Sequence, residues 1–246
     1  MPTLSIIIPV LNEAAVLPDL LGDLQRCRQE LDLAMECLVI DGGSVDATVE
    51  LCREFDVRVI NGPCGRGQQL SLGGKEAGGE ILMFLHADCR ITSAHCLAAV
   101  ETMQQNGIVA GGFNLHFDDT HPVFKLAEKL NKLRFRLTRI FYGDHGLFLR
   151  REVYAAAGGF SAQPLFEDVE LSRRLKKIGR IVLTNPPIAT SSRRFRQGGV
   201  IRTYLKMAVL HILHWLHVSP EFLAKVYHVR SGKPAEDSEN LIVERA

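Results

Sequence analysis

His86 and Asp88 sit two positions apart at the end of the apolar run Ile81-Leu82-Met83-Phe84-Leu85. If a strand continues through them, both side chains point to one side, at the carboxyl end where open α/β sheets place ligands. A carboxylate and an imidazole at that spacing can hold a divalent cation against a diphosphate, because Mg²⁺ or Mn²⁺ usually takes only one or two protein ligands. A plainer arrangement also fits: Asp88 or Ser93 caps a helix starting near Ala94, and His86 is a hydrogen-bonded core histidine. Spacing alone leaves both open. Two further clusters stand out. Glu167 and Asp168 are adjacent carboxylates at a helix start, where acids leading and bases trailing suit the helix dipole. Arg193, Arg194 and Arg196 precede Gly198-Gly199, which fits either a phosphate-binding loop or a solvated basic turn.

The elements that must position these residues alternate in type. Leu4 to Pro9 reads as a buried strand, with Asn12-Glu13 capping a helix to about Glu30. Glu36 to Asp41 is a second strand, and Gly42-Gly43-Ser44 turns the chain into a helix whose first turn holds Asp46. Val57 to Ile60, a helix to Ala77, and the run ending at His86 complete four strands and three helices, the pattern of a parallel, doubly wound sheet. Beyond a helix from Ala94 to Gln105, Val109 to Phe117 reads as a strand with one exposed face. A basic amphipathic helix from Phe124 to Ile140, the polar loop Tyr142 to Gly146, the strand Leu147 to Arg150 and a helix opening at Phe166 follow. Ile181 to Leu183 reads as a last strand stopped by Pro186-Pro187, ahead of a long helix from Val200 to Val218. That helix fits packing on the main domain better than a membrane surface. His211, His214 and His217 drift around it and make a poor metal site.

Two glycine patterns mislead. Gly65-x-Gly67 lacks the third glycine of a dinucleotide fingerprint, since Leu70 stands there, and Gly73-Gly74-Lys75 lacks the Ser or Thr of a P-loop. The chain of 246 residues, 46% hydrophobic and 23% charged, suits one large α/β domain with an appendage. A net charge of +1 gives no general attraction to nucleic acid. Six cysteines without a C-x-x-C pair read as reduced thiols. With no signal peptide and no apolar stretch of membrane-spanning length, the expectation is a cytoplasmic protein, soluble or at most attached to the inner membrane face.

Taken together, these segments resemble a family 2 glycosyltransferase of the GT-A fold. Ser5-Ile6-Ile7-Ile8-Pro9-Val10-Leu11-Asn12-Glu13 is similar to the family's opening strand, and Asp41-Gly42-Gly43-Ser44-Val45-Asp46-Ala47-Thr48 to its D-G-S-x-D-x-T turn. His86-Ala87-Asp88 stands where the family carries D-x-D, Glu167-Asp168 resembles its E-D motif, and Arg193-Arg194-Phe195 falls near its basic C-terminal motif. The His-Ala-Asp variant and Tyr142-Gly143-Asp144-His145-Gly146 are similar to small bacterial members described as radical-SAM/selenodomain-associated transferases. The resemblance implies a Rossmann-like, mostly parallel α/β sheet with helices on both faces over residues 1–190, with a basic loop and helices over 191–229 packed on it; Gly232, Pro234 and a run of Glu and Asp suggest a disordered tail over 230–246.

It also implies a nucleotide-diphosphate sugar donor, a divalent cation (Mn²⁺ or Mg²⁺) and inversion at the anomeric carbon, with a hydroxyl or carboxyl acceptor on a lipid or small metabolite. In that frame Pro9, Asn12, Glu13 and Asp41 line the nucleotide site, Asp41 accepting a hydrogen bond from the base. Arg66, Arg193 and Arg194 meet the diphosphate, and Asp88, with His86, holds the metal. A histidine in place of the first aspartate favours Mn²⁺. Asp168, with Glu167 beside it, serves as general base, kept ionised by its helix start unless desolvation raises its pKa. Two rivals are a nucleotidyltransferase, for which the stretch after the first strand lacks a Gly-rich basic signature, and a catalytically idle binding module.

Overall fold

In the computed structural model the described residues are 3–117, 119, 121–190, 206, 209–210, 212–214, 216 and 218–231. They fall into two compact units: Met1–Ala162 with Phe166–Ser192, and Gln163–Leu165 with Arg193–Ala246. The first unit is built on a seven-stranded sheet. Its strands are β1 (Leu4–Val10), β2 (Met35–Asp41), β3 (Arg58–Asn61), β4 (Ile81–Phe84), β5 (Ile108–Phe117), β6 (Phe148–Arg150) and β7 (Arg180–Thr190), in the spatial order β3-β2-β1-β4-β6-β5-β7. Only β6 runs antiparallel to its neighbours. The sheet is therefore mostly parallel, with helices on both faces.

The alternation of β1 explains the layering. Ile6 and Ile8 face a core shared with α1 (Leu17–Glu30) and α4 (Ser93–Gln104), whereas Ile7 faces one shared with α3 (Arg66–Glu76), α5 (Pro122–Thr138), α6 (Arg151–Ala156) and α7 (Glu167–Ile178). Successive side chains of a strand point to opposite faces, so covering both faces demands the continuous apolar runs seen in β1, β2 and β4. The misleading Gly73-Gly74 pair has a packing reason. A Cβ on Gly73 would lie 2.3 Å from Ile7 Cγ2, and one on Gly74 2.5 Å from the Tyr154 ring. Gly73→Ala is accordingly expected to cost about 1–3 kcal/mol through overpacking, read as a lower urea midpoint at unchanged m-value.

Several elements differ from the sequence expectation. The first helix begins at Leu17, not at Asn12-Glu13, because Asn12 adopts φ 56° and its loop is tied to the next one. Asp46 precedes α2 (Thr48–Leu51), where its carboxylate accepts from the Thr48 N–H and hydroxyl. Neither Asp88 nor Ser93 caps α4. Thr92 does, in a reciprocal box with His95. The strand β5 is buried on both faces along most of its length, not one, because helices cover each side. The strand β7 runs through Pro186 and Pro187, with a cis Asn185–Pro186 bond and a register shift against β5. It lies at the sheet edge, where a missing N–H costs no ladder bond.

In the second unit α8 (Pro220–Ser231) buries Leu223 and Ala224. The arginine loop and most of the Val200–Val218 helix lie outside the described residues. Among the described residues no helix is long and apolar enough to cross a membrane. All six cysteines are unbridged and only Cys64 is exposed.

Candidate active site

The carboxyl ends of β1, β2 and β4 open on one edge of the sheet, and the loops leaving them are held by a dense set of hydrogen bonds. Asp41, 4% exposed, turns its carboxylate onto its own loop and accepts from the N–H groups of Gly43 (3.0 Å) and Ser44 (3.1 Å). Asn12 Oδ1 accepts from the Val45 N–H, while the Asn12, Glu13 and Ala14 amides donate to Ser44, Thr48 and Asp46. Asn12 and Asp41 thus shape the opening where the resemblance places a nucleotide, with Asp41 already engaged by backbone donors. Gln69, which sequence reasoning passed over, locks β1 to β2 there: its Nε2 donates to Val10 O at 2.8 Å and Ile40 O at 2.7 Å. Pro9 lies within β1, half-buried.

The ladder of β4 ends at Phe84, so His86 and Asp88 lie in the turn beyond it rather than in the strand. Burial still alternates there, Ala87 and Cys89 being buried while His86 and Asp88 are half-exposed. A carboxylate and an imidazole there fit a divalent cation that keeps water and phosphate oxygens as its remaining ligands. Among the described residues no three His, Cys, Asp or Glu side chains gather into a closed cage. Asp144, not singled out from sequence, lies close by. Burial and the charges of Asp88 and Asp144 together push the Cys89 thiol up, and Asp144 Oδ1 is buried without a hydrogen-bond partner among the described residues.

Arg66, at the start of α3, bridges this turn to α7. Its Nε donates to Glu167 Oε1, its Nη2 lies 3.7 Å from Asp168 Oδ2, and its Nη1 stands 3.5 Å from His86 Nε2. A guanidinium only donates, so in this contact the His86 Nε2 lone pair faces Arg66, and a cation held through Nε2 would displace the guanidinium. Gly143 permits the approach, since a Cβ there would lie 2.3 Å from His86 Nε2.

Glu167 and Asp168 are 1% and 6% exposed. Phe166, at φ 66°, turns the chain so that α7 opens with both acids facing inward. The condition attached to Asp168 is met by the fold itself: desolvation, then the Glu167 charge, raise its carboxyl to about 7, against the opposing pull of Arg66 and the Val169 and Gly143 N–H groups. Burial outweighs the dipole because its penalty falls on the whole charge, whereas a helix end offers about half a charge. A carboxyl near 7 suits proton abstraction at neutral pH. Glu167 Oε2 is also buried without a hydrogen-bond partner among the described residues.

The Tyr142–Gly146 loop, whose Gly143–His145 segment forms a single 3₁₀ turn, closes the site from the α5 side. His145 is fully buried: Nδ1 lies 2.9 Å from Phe113 O, and Nε2 3.0 Å from Arg134 Nη2. Burial pushes its pKa down, so a neutral ring donating through Nδ1 and accepting at Nε2 anchors the loop. Arg134 also stacks 3.8 Å over the Tyr142 ring. Arg134 is missed by sequence reading because nothing distinguishes it from the exposed bases of the same helix. Arg193 and Arg194 lie outside the described residues. An open depression of about 430 Å³ near the amino ends of β5 and β7, lined by Thr102, Arg139 and Arg180 among others, is remote from this chemistry.

The Arg66 bridge carries a prediction. Removing its charge by Arg66→Met takes away the strongest influence holding Asp168 down, so the acidic limb of a turnover profile governed by Asp168 moves to higher pH, by about one unit or more. The check is kcat/KM, which reports the free enzyme, measured from about pH 5.5 to 9 in both proteins.

A mostly parallel sheet with one reversed strand, and a polar site at its carboxyl edge, defines a GT-A type of α/β protein. Residues 5–160 match the model of Glycosyl transferase family 2, and the chain belongs to that family. It is 32% identical over 143 residues to a 4,4'-diaponeurosporenoate glycosyltransferase of Staphylococcus haemolyticus, covering 53% of this chain and 36% of that one. It is 27% identical over 154 residues to an undecaprenyl-phosphate 4-deoxy-4-formamido-L-arabinose transferase of Aeromonas hydrophila, covering 59% and 47%. The chain thus spans less than half the length of these relatives. In fold it is similar to a mannosyltransferase from Pyrobaculum calidifontis solved with GDP-Man and Mn²⁺, with a TM-score of 0.62 and 18% identity over 94% of this chain and 76% of that one. It is also similar to residues 1–349 of TarS from S. aureus, with a TM-score of 0.60 and 18% identity over 78% and 61%.

Proposed function

We propose that the protein is an inverting glycosyltransferase that moves a sugar from a nucleotide-diphosphate donor to a lipid-borne acceptor. The observation that carries this reading is the convergence of Arg66, His86 and a buried Asp168, raised to about 7, at the carboxyl edge of a family 2 sheet. Asn12, Glu13, Asp41 and Pro9 wall the nucleotide. Asp88 and His86 would hold Mn²⁺ or Mg²⁺, which when bound neutralises charge on the departing diphosphate. Arg66 supplies further positive charge there; Arg193 and Arg194, expected to meet the same diphosphate, lie outside the described residues. Asp168 accepts the acceptor's proton as its oxygen attacks the anomeric carbon, and the carboxyl protonates at Oδ2 or Oδ1 while the sugar–phosphate bond breaks. Glu167 holds Arg66 and keeps the Asp168 carboxyl high. Once the diphosphate draws Arg66 away, Asp168 loses its counter-charge and becomes a stronger base.

The relatives' names support a lipid-type acceptor, one carrying a carboxylate and the other a lipid phosphate. The His-Ala-Asp turn favours the radical-SAM/selenodomain-associated subgroup. We place the catalytic unit in residues 1–190 at the inner face of the cell membrane; α8 runs through Ser231, so residues 230 and 231 are helical and not part of the expected tail. The test is transfer of labelled sugar, donor by donor, into an organic-extractable product with total bacterial lipid as acceptor. Labelled lipid is expected, and its absence with every donor that the protein hydrolyses would move the acceptor to the aqueous phase.

A further inference from the structure

Helix α5 presents three separate faces. At about 100° per residue, Phe124, Ala127, Arg134 and Phe135 share one side, which is buried or half-buried against the sheet and the Tyr142–Gly146 loop. Leu126, Leu130, Leu133 and Leu137 recur on a second side, about 120° around the helix, and are 55%, 54%, 51% and 77% exposed. Lys125, Lys129, Lys132 and Arg136 form a second exposed stripe, displaced from the leucines by about 100°. The only acid of the helix, Glu128, belongs to neither stripe: its Oε1 lies 3.0 Å from His116 Nδ1 and accepts from the Phe117 N–H.

A helix packed in water ordinarily turns its leucines inward, and a contiguous exposed apolar stripe marks an interaction surface. The charge beside the stripe identifies the partner. A second copy of this chain would bring four more cations and no acid to the seam, whereas an anionic bilayer offers apolar depth to the leucines and phosphates to the bases. We propose that α5 docks the protein on an anionic lipid surface, with Leu126, Leu130, Leu133 and Leu137 in the headgroup boundary and Lys125, Lys129, Lys132 and Arg136 on lipid phosphates. The inner side of the same helix holds the site: Arg134 stacks on Tyr142 and meets His145. Docking through α5 therefore sets the height of the catalytic loop above the membrane. This deepens the reading of a lipid-borne acceptor, but its measurement uses neither acceptor nor turnover.

The experiment is co-sedimentation of the full chain with vesicles of phosphatidylcholine alone or with phosphatidylglycerol added. Binding to the anionic vesicles only, weakened by salt, is expected. Lys129→Glu with Lys132→Glu should weaken it by twentyfold or more, at about fivefold per charge. Leu130→Glu with Leu133→Glu should abolish it while donor hydrolysis stays at the wild-type rate, which shows that the variant is folded. Equal binding by wild type and the leucine variant, or no binding to anionic vesicles, would overturn the proposal. So would a dimer mass that the leucine variant loses, because the face would then belong to a second copy.

Discussion

Asp168→Asn is expected to retain nucleotide binding and to lower sugar transfer by about 10²- to 10⁴-fold, the range for losing a positioned general base. The carboxyl is the strongest candidate because burial and Glu167 lift it to about 7, where a useful fraction is ionised and its basicity is far above that of an exposed aspartate. The substitution also has an opposite consequence for stability. A carboxyl raised from 3.8 to about 7 on folding means that the folded state binds more protons than the unfolded chain across that window. Its contribution to stability is therefore full below about pH 4 and is lost as pH rises through 7. Asparagine carries no such dependence. Wild type should lose Tm relative to Asp168→Asn between pH 4 and 8, so that the inactive variant is the more stable protein at pH 8. A variant with full turnover, or with parallel pH–Tm curves, would remove Asp168 from the role.

The second large effect is expected at Asp88. Saturating nucleoside diphosphate with Mn²⁺ should raise the wild-type Tm by about 5–10 °C, as a ligand at 100 times its Kd contributes about 2.7 kcal/mol in a domain of this size. Asp88→Ala should abolish the part of that shift that requires the cation. His86→Asp is the informative companion. Replacing the nitrogen donor with a carboxylate should bring Mg²⁺ closer to Mn²⁺ in the stabilisation it supports. A shift in Asp88→Ala as large and as cation-dependent as in wild type would mean that the cation is held elsewhere.

The sheet and its helices were legible because they rest on burial, and burial writes itself into composition. Ile6, Ile7 and Ile8 are apolar in succession because both faces of β1 are covered. What could not be read was decided by tertiary contacts. Asn12 looks like a helix cap but adopts φ 56° under the pull of Ser44 and Val45, more than thirty residues away. Pro186 and Pro187 should end a strand, and fail to because β7 is an edge. The same holds in the site. His86, Asp88, Glu167 and Asp168 were visible as types and spacings, but the sign of the Asp168 shift depends on how deeply α7 is buried. The Arg66 bridge joins residues about a hundred positions apart. Gln69 and Arg134 carry no local signal at all, and Asp144 was visible only as part of the Tyr142–Gly146 motif.

The most direct test of the central claim is release of free nucleoside diphosphate from a panel of nucleotide sugars with Mn²⁺, comparing wild type with Asp88→Ala. Slow donor hydrolysis needs no acceptor, so the assay isolates donor chemistry. Release from at least one donor, dependent on both Mn²⁺ and Asp88, is the predicted result. No release from any donor, together with no thermal stabilisation by any nucleoside diphosphate, would contradict the assignment and leave a family 2 fold that binds without catalysing.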